Sequence, residues 1–425
     1  MNDQRVVEEI VTKFLLNTCR LRPQLSQSAI EAAHEYIWVV KTHSTYDKKT
    51  NIIPLRTGSV AEFYIEPMLS HVGDIDIMYH WGTELAIPQG HPPPTQLPYD
   101  FDSYVKVFEI IDSVDQIIDS HFPGYVYLVS RYLLTECVDG NEYNVVEHDE
   151  RICLKNKYGS DNLNIHGPAI VQKAFYYLPS DLVCCVRCLK WPLQAADWPT
   201  RHRKYGWPDS ATVDRVVSSG CDVVGVAHRQ CRQHERTGSY EQRWMITHQH
   251  RLSFSRAELV LINSWMPVQQ IVYHVLRVFM KTERLTDSVD NSGAAKLSNY
   301  HIKTLMLWDC ELKSRNCWTD DLNIVRICVH LLHILGAWVI DARCQHYFIN
   351  KCNLIDSSLN VKNVGGQLIS IDATWLSKWL VDNYIRKCSV FCPDNISQLF
   401  DDISTTTKLQ DAVSAIVAWR VHANN

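Results

Sequence analysis

Residues 56–78 constrain this chain more than any other stretch. The run opens Arg56-Thr57-Gly58-Ser59-Val60-Ala61-Glu62 and closes Gly73-Asp74-Ile75-Asp76-Ile77-Met78. The closing part alternates apolar residues with two aspartates, which is the pattern of a strand. Side chains two apart on a strand share a face, so Asp74 and Asp76 present carboxylates about 7 Å apart on one side. Such a pair repels itself unless a cation lies between. Carboxylates holding divalent metals are what phosphoryl transfer uses. The opening part supplies the other half: Gly58 lets the backbone approach a phosphate, and the Ser59 hydroxyl and amide can donate to it. Taken singly, the two halves also fit an ordinary turn and a structural calcium site or solvated strand edge. Their order and spacing favour the phosphoryl-transfer reading, which requires a third carboxylate from a neighbouring strand.

Asp181 is the first candidate for that third carboxylate. It opens Asp181-Leu182-Val183-Cys184-Cys185-Val186-Arg187-Cys188, a strong β run preceded by a turn at Pro179-Ser180. A hairpin with the apolar stretch after Gly167-Pro168 places Asp181 beside the Asp74–Asp76 strand. Glu147 and Asp149 are nearer in sequence but sit in polar surroundings with no strand to fix them.

The rest of the chain divides by pattern. Residues 6–19 and 26–42 show helical spacing, with Ser26 or Ser28 as the cap of the second, long helix. Residues 105–118 read as a helix and 125–135 as a strand. Residues 139–164 are polar and read as a loop holding a hairpin or two. From about residue 210 the periodicity is helical, over 210–235, 255–282, 298–313, 320–341, 368–387 and 407–421, with a polar loop at 286–296. Strands first and helices after predict an α+β bilobal enzyme, its mixed sheet fronted by a long spine helix. The expected division is 1–205 for spine and catalytic core and 206–425 for a helical lobe.

Composition narrows the class. The chain has 425 residues, enough for two to three domain-sized units. Its net charge of −5 advertises no global affinity for nucleic acid, so any such surface is a local patch. The longest apolar run, residues 324–340, is interrupted by Arg326, His330 and His333. The start, Met1-Asn2-Asp3-Gln4-Arg5, runs into an amphipathic helix and does not read as a secretory leader. Fifteen cysteines in that context suggest free thiols and a cytoplasmic protein.

Several motifs together resemble the animal cyclic GMP–AMP synthase-like receptors, which share their fold with the male-abnormal developmental proteins. They are Thr57-Gly58-Ser59-x-x-Glu62, Gly73-Asp74-Ile75-Asp76, Pro168-Ala169-x-Val171, Arg251-Leu252-Ser253-Phe254-Ser255 and Tyr300-His301-Ile302-Lys303-Thr304, with Tyr347-Phe348-Ile349 and Asn353-Leu354 near the end. The resemblance implies a nucleotidyltransferase that joins NTPs such as ATP and GTP into a cyclic dinucleotide. It implies Gly58 and Ser59 on the triphosphate, and Asp74, Asp76 and Asp181 on Mg²⁺ (or Mn²⁺). It places Arg251, Ser253 and Ser255 in the nucleotide pocket, Tyr300 stacked on a base and Lys303 near phosphate. It also implies a downstream receptor of the stimulator-of-interferon-genes type. A Tyr face is a stacking platform and an Arg fork suits a guanine edge, so the chemistry agrees. The bland alternative for Tyr300 and Lys303 is an ordinary packed helix face with a snorkelling lysine, and for Arg251 a simple ion pair.

One departure matters. The vertebrate enzyme carries a Cys/His zinc ribbon after the segment matching Arg251 to Ser255. Here that segment runs on as Glu258-Leu259-Val260-Leu261 without one, which moves the expected activator from duplex DNA to duplex RNA. Candidate phosphate grips are Lys41, Lys48 and Lys49, and Arg201, Arg203 and Lys204. Cys221, His228, Cys231 and His234 form a separate cluster whose spacing is no standard zinc finger, and buried core cysteines are the plainer reading. Two rivals stand beside the enzyme reading. One is a catalytically silent nucleotide- or RNA-binding scaffold; the other is a polymerase-like transferase acting on RNA ends.

Overall fold

The computed structural model describes residues 3–18, 51–57, 62, 75–114, 122–140, 142–148, 152–156, 165–166, 168–172, 180–228, 230–231, 240–285, 297–319, 322–355 and 362–385. The spine helix expected at 26–42 and the helix expected at 407–421 lie outside these residues, as do Lys41, Lys48, Lys49, Gly58, Ser59, Asp74, Asp149 and His234.

Ten strands form one sheet: β1 (Ile52–Thr57), β2 (Ile75–Pro88), β3 (Tyr104–Ile111), β4 (Tyr125–Glu136), β5 (Tyr143–Glu147), β6 (Ile165–His166), β7 (Ala169–Gln172), β8 (Ser180–Cys188), β9 (Cys221–Val224) and β10 (His250–Ser253). Their order is β1-β2-β3-β4-β10-β9-β8-β7-β6, with β5 on β4. Strand β2 also pairs β8, so the run β2-β3-β4-β10-β9-β8 closes on itself. The long β2 makes this possible: its first half pairs β1, its second half pairs β3, and β8 runs parallel along its other side.

The expected hairpin is present. Strands β7 and β8 are antiparallel, with Val171 opposite Asp181. Two other expectations are corrected. The helix expected over 105–118 is not formed over its described part, because β3 occupies 104–111. Val105 and Val107 are both fully buried while Tyr104 and Lys106 face out, a period of two. The region after 205 is not helical throughout, since β9 and β10 return to the sheet. Strand β9 is buried on both faces, so its sequence, Cys221-Asp222-Val223-Val224, carries no alternation. Gly220 precedes it with a φ of +61°, and any side chain there would overlap the Cys188 carbonyl.

The helices described are α1 (Asp3–Thr18), α2 (Ser210–Ser218), α3 (Tyr240–His248), α4 (Ser255–Asn263), α5 (Pro267–Thr282), α6 (Asn299–Leu312), α7 (Ile324–Ile340), α8 (Lys362–Ile369) and α9 (Ala373–Leu380). Helix α5 has Pro267 at its start and is buried along most of its length, forming the axis of the helical half. The first helix, α1, docks on the start of α7. There the buried Glu8 carboxylate accepts from Asn323 (2.8 Å) and Arg326 (2.7 Å), and Thr12 Oγ1 accepts from the Ile324 amide. A carboxylate at a helix N-terminus is favoured by the unpaired amides there. None of the described helices is long and apolar enough to cross a membrane.

Candidate active site

A cleft of about 520 Å³ lies where the sheet meets the helical half. Asp76, Met78, Val183 and Val224 line it from β2, β8 and β9; Arg251 and Ser253 line it from β10. Ser255 and Glu258 come from α4, Tyr300 and Lys303 from α6, and His346 from the loop after α7. Six residues expected from the sequence, Asp76, Arg251, Ser253, Ser255, Tyr300 and Lys303, therefore meet in one place.

The floor carries the acid groups. In the parallel pair of β2 and β8, Asp76 stands directly beside Asp181. Register partners on parallel strands share a face, and neighbouring strands are roughly 4.8 Å apart. Two residues further along, Met78 and Val183 are likewise partners, and both line the cleft. Asp181 therefore stands on the cleft face with Asp76. Thr57, the last residue of β1, is opposite Asp76 on its other side. Two carboxylates this close suit a divalent cation. No group of three or more His, Cys, Asp or Glu side chains is poised around a metal among the described residues.

Strand β10 forms the adjoining wall. Arg251 faces Tyr125 of β4 and Val224 of β9, and all three line the cleft. The Arg251 side chain is exposed and makes no ion pair among the described residues. Ser253 and Ser255 hydroxyls are 3.1 Å apart. Behind the wall, fully buried Asp222 accepts from Arg256 (3.0 Å), with Arg187 at 3.9 Å.

On the helical side a hydrogen-bonded chain fixes Tyr300. The amides of Phe348 and Ile349 donate to His346 Nδ1 (3.0 and 3.1 Å). Nδ1 is therefore the bare nitrogen, and Nε2–H donates to the Tyr300 hydroxyl (3.0 Å). The Glu258 carboxylate acts on the Tyr300 hydroxyl through its charge. Burial, then the nearby Arg251 charge, lowers the His346 pKa to about 3. Burial and then Glu258 push the Tyr300 hydroxyl well above the usual tyrosine range. Asn353 orders the same loop: its Oδ1 accepts from the Cys344 amide (2.8 Å), and its Nδ2 donates to the Ala342 and Ile355 carbonyls.

Lys303 is held between two carboxylates, Glu62 (2.5 Å) and Glu258 (2.7 Å). Burial alone would lower its pKa; Glu258 and Glu62 overcome this and hold it well above the ordinary lysine value. Neither Glu258 nor His346 was singled out from sequence. Their partners are 45 and 46 residues away, and no local pattern marks such pairs.

The expected basic cluster is placed otherwise. Arg201 lies between the rings of Trp308 (4.5 Å) and Tyr347 (4.7 Å) and pairs with Glu311 (2.8 Å). Arg203 is 8% exposed, stacks on Trp198 (4.6 Å) and donates to the carbonyls of Trp198, Pro199 and Arg201. Both guanidinium groups are thus engaged in packing, while Lys204 beside them is exposed. Cys221 lies in β9, fully buried, with Cys188 of β8 as its register partner. His228 stacks on Phe122 at 3.9 Å and lines the cleft mouth. His228 lies in chain without regular secondary structure, Cys231 is helical and buried, and His234 lies outside the described residues. Glu147 sits on β5 and pairs with Arg131 (2.7 Å).

Comparison with known families agrees with this architecture. The Mab-21 protein nucleotidyltransferase domain matches residues 137–264. The chain has a Mab-21 nucleotidyltransferase domain. The Mab-21 protein HhH/H2TH-like domain follows at residues 269–364, which covers α5 through the start of α8. The two matches part between α4 and α5, after the last strand of the sheet. A Mab-21-like protein of Aedes aegypti is 28% identical over 170 residues, 39% of this chain and 40% of that protein. Male abnormal 21 of Caenorhabditis elegans is 24% identical over 181 residues, 41% of this chain and 45% of that protein. The match thus spans less than half the length of each relative. The expected α+β nucleotidyltransferase fold is the fold observed.

Proposed function

We propose that the protein is a metal-dependent nucleotidyltransferase that joins two NTPs, such as ATP and GTP, into a cyclic dinucleotide in innate immune signalling. One observation carries the reading: Asp76, which lines the same cleft as Arg251, Ser253, Ser255 and Tyr300, has Asp181 as its register partner on β8. The acid pair alone would fit a structural cation. Acid groups, serine hydroxyls, a free guanidinium and a fixed aromatic ring in one cleft fit a nucleoside triphosphate.

Asp76 and Asp181, together with Asp74 of the sequence motif, would hold Mg²⁺ or Mn²⁺. When bound there, such ions supply an activated hydroxyl nucleophile and charge stabilisation for the pyrophosphate leaving group. The chain's own side chains do the rest. Tyr300 offers a ring already fixed by His346, on which a base can stack at little ordering cost. The exposed Arg251 fork suits the O6 and N7 edge of guanine. Met78, Val183 and Val224 give an apolar floor that excludes water from the reacting groups. Gly58 and Ser59 would hold the triphosphate.

Duplex RNA as activator and a cytoplasmic setting belong to the same proposal, as does a product receptor of the stimulator-of-interferon-genes type. With Arg201 and Arg203 engaged in packing, an RNA surface would draw on Lys204 and on Lys41, Lys48 and Lys49. The test is incubation of the purified full-length protein with four labelled NTPs and Mg²⁺, alone, with duplex RNA and with duplex DNA. A phosphatase-resistant small product made only with duplex RNA supports the whole reading. Label appearing in long RNA would replace it with an RNA-end transferase. Nucleotide binding without product under any condition would replace it with the silent scaffold.

A further inference from the structure

We propose that Lys303 is a positioning residue: by bridging Glu62 and Glu258 its ammonium locks the chain leaving β1 against the helical half, and it is not itself a phosphate ligand. The inference rests on the nucleotide reading of the cleft. It assigns roles to Glu62, Glu258 and Lys303 that the sequence motifs did not separate.

The geometry is that of a closed ionic cluster. Glu62 and Glu258 are 2% and 4% exposed, and Lys303 12%. Glu62 also accepts from the Tyr273 hydroxyl (2.9 Å) and faces the Arg277 guanidinium at 3.7 Å. Two carboxylates therefore meet two cations in a buried place, and the sum of charge is zero. Drawing Lys303 toward a phosphate would leave Glu62 and Glu258 buried without their shared counterion, which is strongly unfavourable. A lysine carries three donors on a compact charge, which suits bridging two carboxylates. Arg251, by contrast, is exposed on this cleft and without an ion pair among the described residues, so a nucleotide can engage it without uncovering a buried carboxylate.

What the bridge fixes follows from chain connectivity. Thr57 ends β1 opposite Asp76, and Glu62 is anchored to α5 through Tyr273 and Arg277, to α6 through Lys303 and, through Lys303, to Glu258 of α4. Only residues 58–61 separate these two fixed points. The tie therefore holds Glu62, five residues after the end of β1 that faces Asp76, to the helical half. The bridge is thus a tie between the two walls of the cleft at the level of the acid floor.

The test is a double-mutant cycle in the full-length protein with Glu62→Gln, Lys303→Met and the pair. Both single variants are expected to lower kcat by about 10²-fold with less change in KM, since a misplaced group costs turnover. The double variant is expected to be no worse than the poorer single, because both remove one interaction. If Lys303→Met raises KM for the nucleotide while Glu62→Gln changes neither constant, Lys303 is a phosphate ligand and the proposal falls. Lys303→Arg keeps a cation between the carboxylates and serves in the cycle where Lys303→Met does not fold. Hydrogen exchange of the peptide covering 52–66, without nucleotide, separates this proposal from the reading of function. The lock predicts exchange about tenfold faster in Glu62→Gln. Unchanged exchange overturns the lock whatever the enzyme makes; faster exchange in a protein that makes no product overturns only the functional reading.

Discussion

The Tyr300 hydroxyl accepts a hydrogen bond from His346 Nε2 at 3.0 Å, and the direction of that bond is dictated by two backbone amides on the far side of the imidazole. The histidine is therefore held neutral by its hydrogen bonds as well as by burial. Its replacement by Ala should leave the Phe348 and Ile349 amides without partners, at about 1–3 kcal/mol each if they stay buried. It should also free the Tyr300 ring. Urea unfolding of His346→Ala against the parent checks the first effect, and the nucleotide dissociation constant checks the second. Unchanged values in both would contradict the role given to this pair.

Four buried histidines predict acid sensitivity. Burial is the leading cause in each: it lowers His346 and His274 to about 3 and His80 and His250 to about 4. An unfolded histidine titrates near 6.5. Above that value neither state binds the proton and these residues do not penalise folding. Below it only the unfolded chain takes up protons, so stability should fall between about pH 6.5 and pH 3–4. The slope is at most about 1.4 kcal/mol per pH unit for each histidine. Urea midpoints measured at intervals from pH 7.5 to 5 should decline steadily below 6.5. A flat profile across that window would show that these histidines are protonated in the folded protein.

Arg203→Ala should destabilise the fold, because it empties the stack on Trp198 and removes donors from three carbonyls. A loss of about 3 kcal/mol is expected for a nearly buried charged donor. Lys204→Ala, one residue on and exposed, should change stability by less than about 0.5 kcal/mol. Equal effects on stability at the two positions would contradict the packing role of Arg203.

Helices α7 and α8 cross at paired glycines. A Cβ on Gly365 would lie 2.9 Å from the Gly336 carbonyl oxygen and 2.7 Å from Ile340 Cγ1, whereas one on Gly366 meets nothing within 4 Å. Gly365→Ala should therefore cost about 1–3 kcal/mol, the usual penalty for overpacking. Gly366→Ala should stabilise by roughly 0.5–1 kcal/mol through helix propensity. Thermal melts of the two variants with opposite signs are the expected result, and a shared sign would refute the crossing.

Much of this arrangement was legible in the residues. The run opening at Asp181 follows a turn at Pro179-Ser180 and is apolar over 182–186, so it reads as a strand, and it forms one beside Asp76. Helices α6 and α7 are long apolar stretches and appear where expected. The misses have physical causes. In β3, Phe108, Ile110 and Ile111 fit a helical stripe as well as a strand, and only burial against β2 and β4 decides between the periods. Strand β9 is four residues long and buried on both faces, so nothing alternates. Arg203 folds back on Trp198, a contact that no spacing rule marks, and Arg201 looks like part of a solvated basic run because the rings that receive it, Trp308 and Tyr347, come from more than 100 residues away. The same distance in sequence hid the tie from Lys303 to Glu62.

The most direct test of the account compares small-nucleotide product from the full-length protein with that from Asp76→Asn and Asp181→Asn, given Mg²⁺, the four NTPs and duplex RNA. The account predicts product from the parent and a loss of at least about 10³-fold in either variant. It also predicts that nucleotide-free melting temperatures will stay close to the parent's. Product from Asp181→Asn at the parent's rate would contradict the claim that the paired carboxylates of β2 and β8 are the catalytic floor.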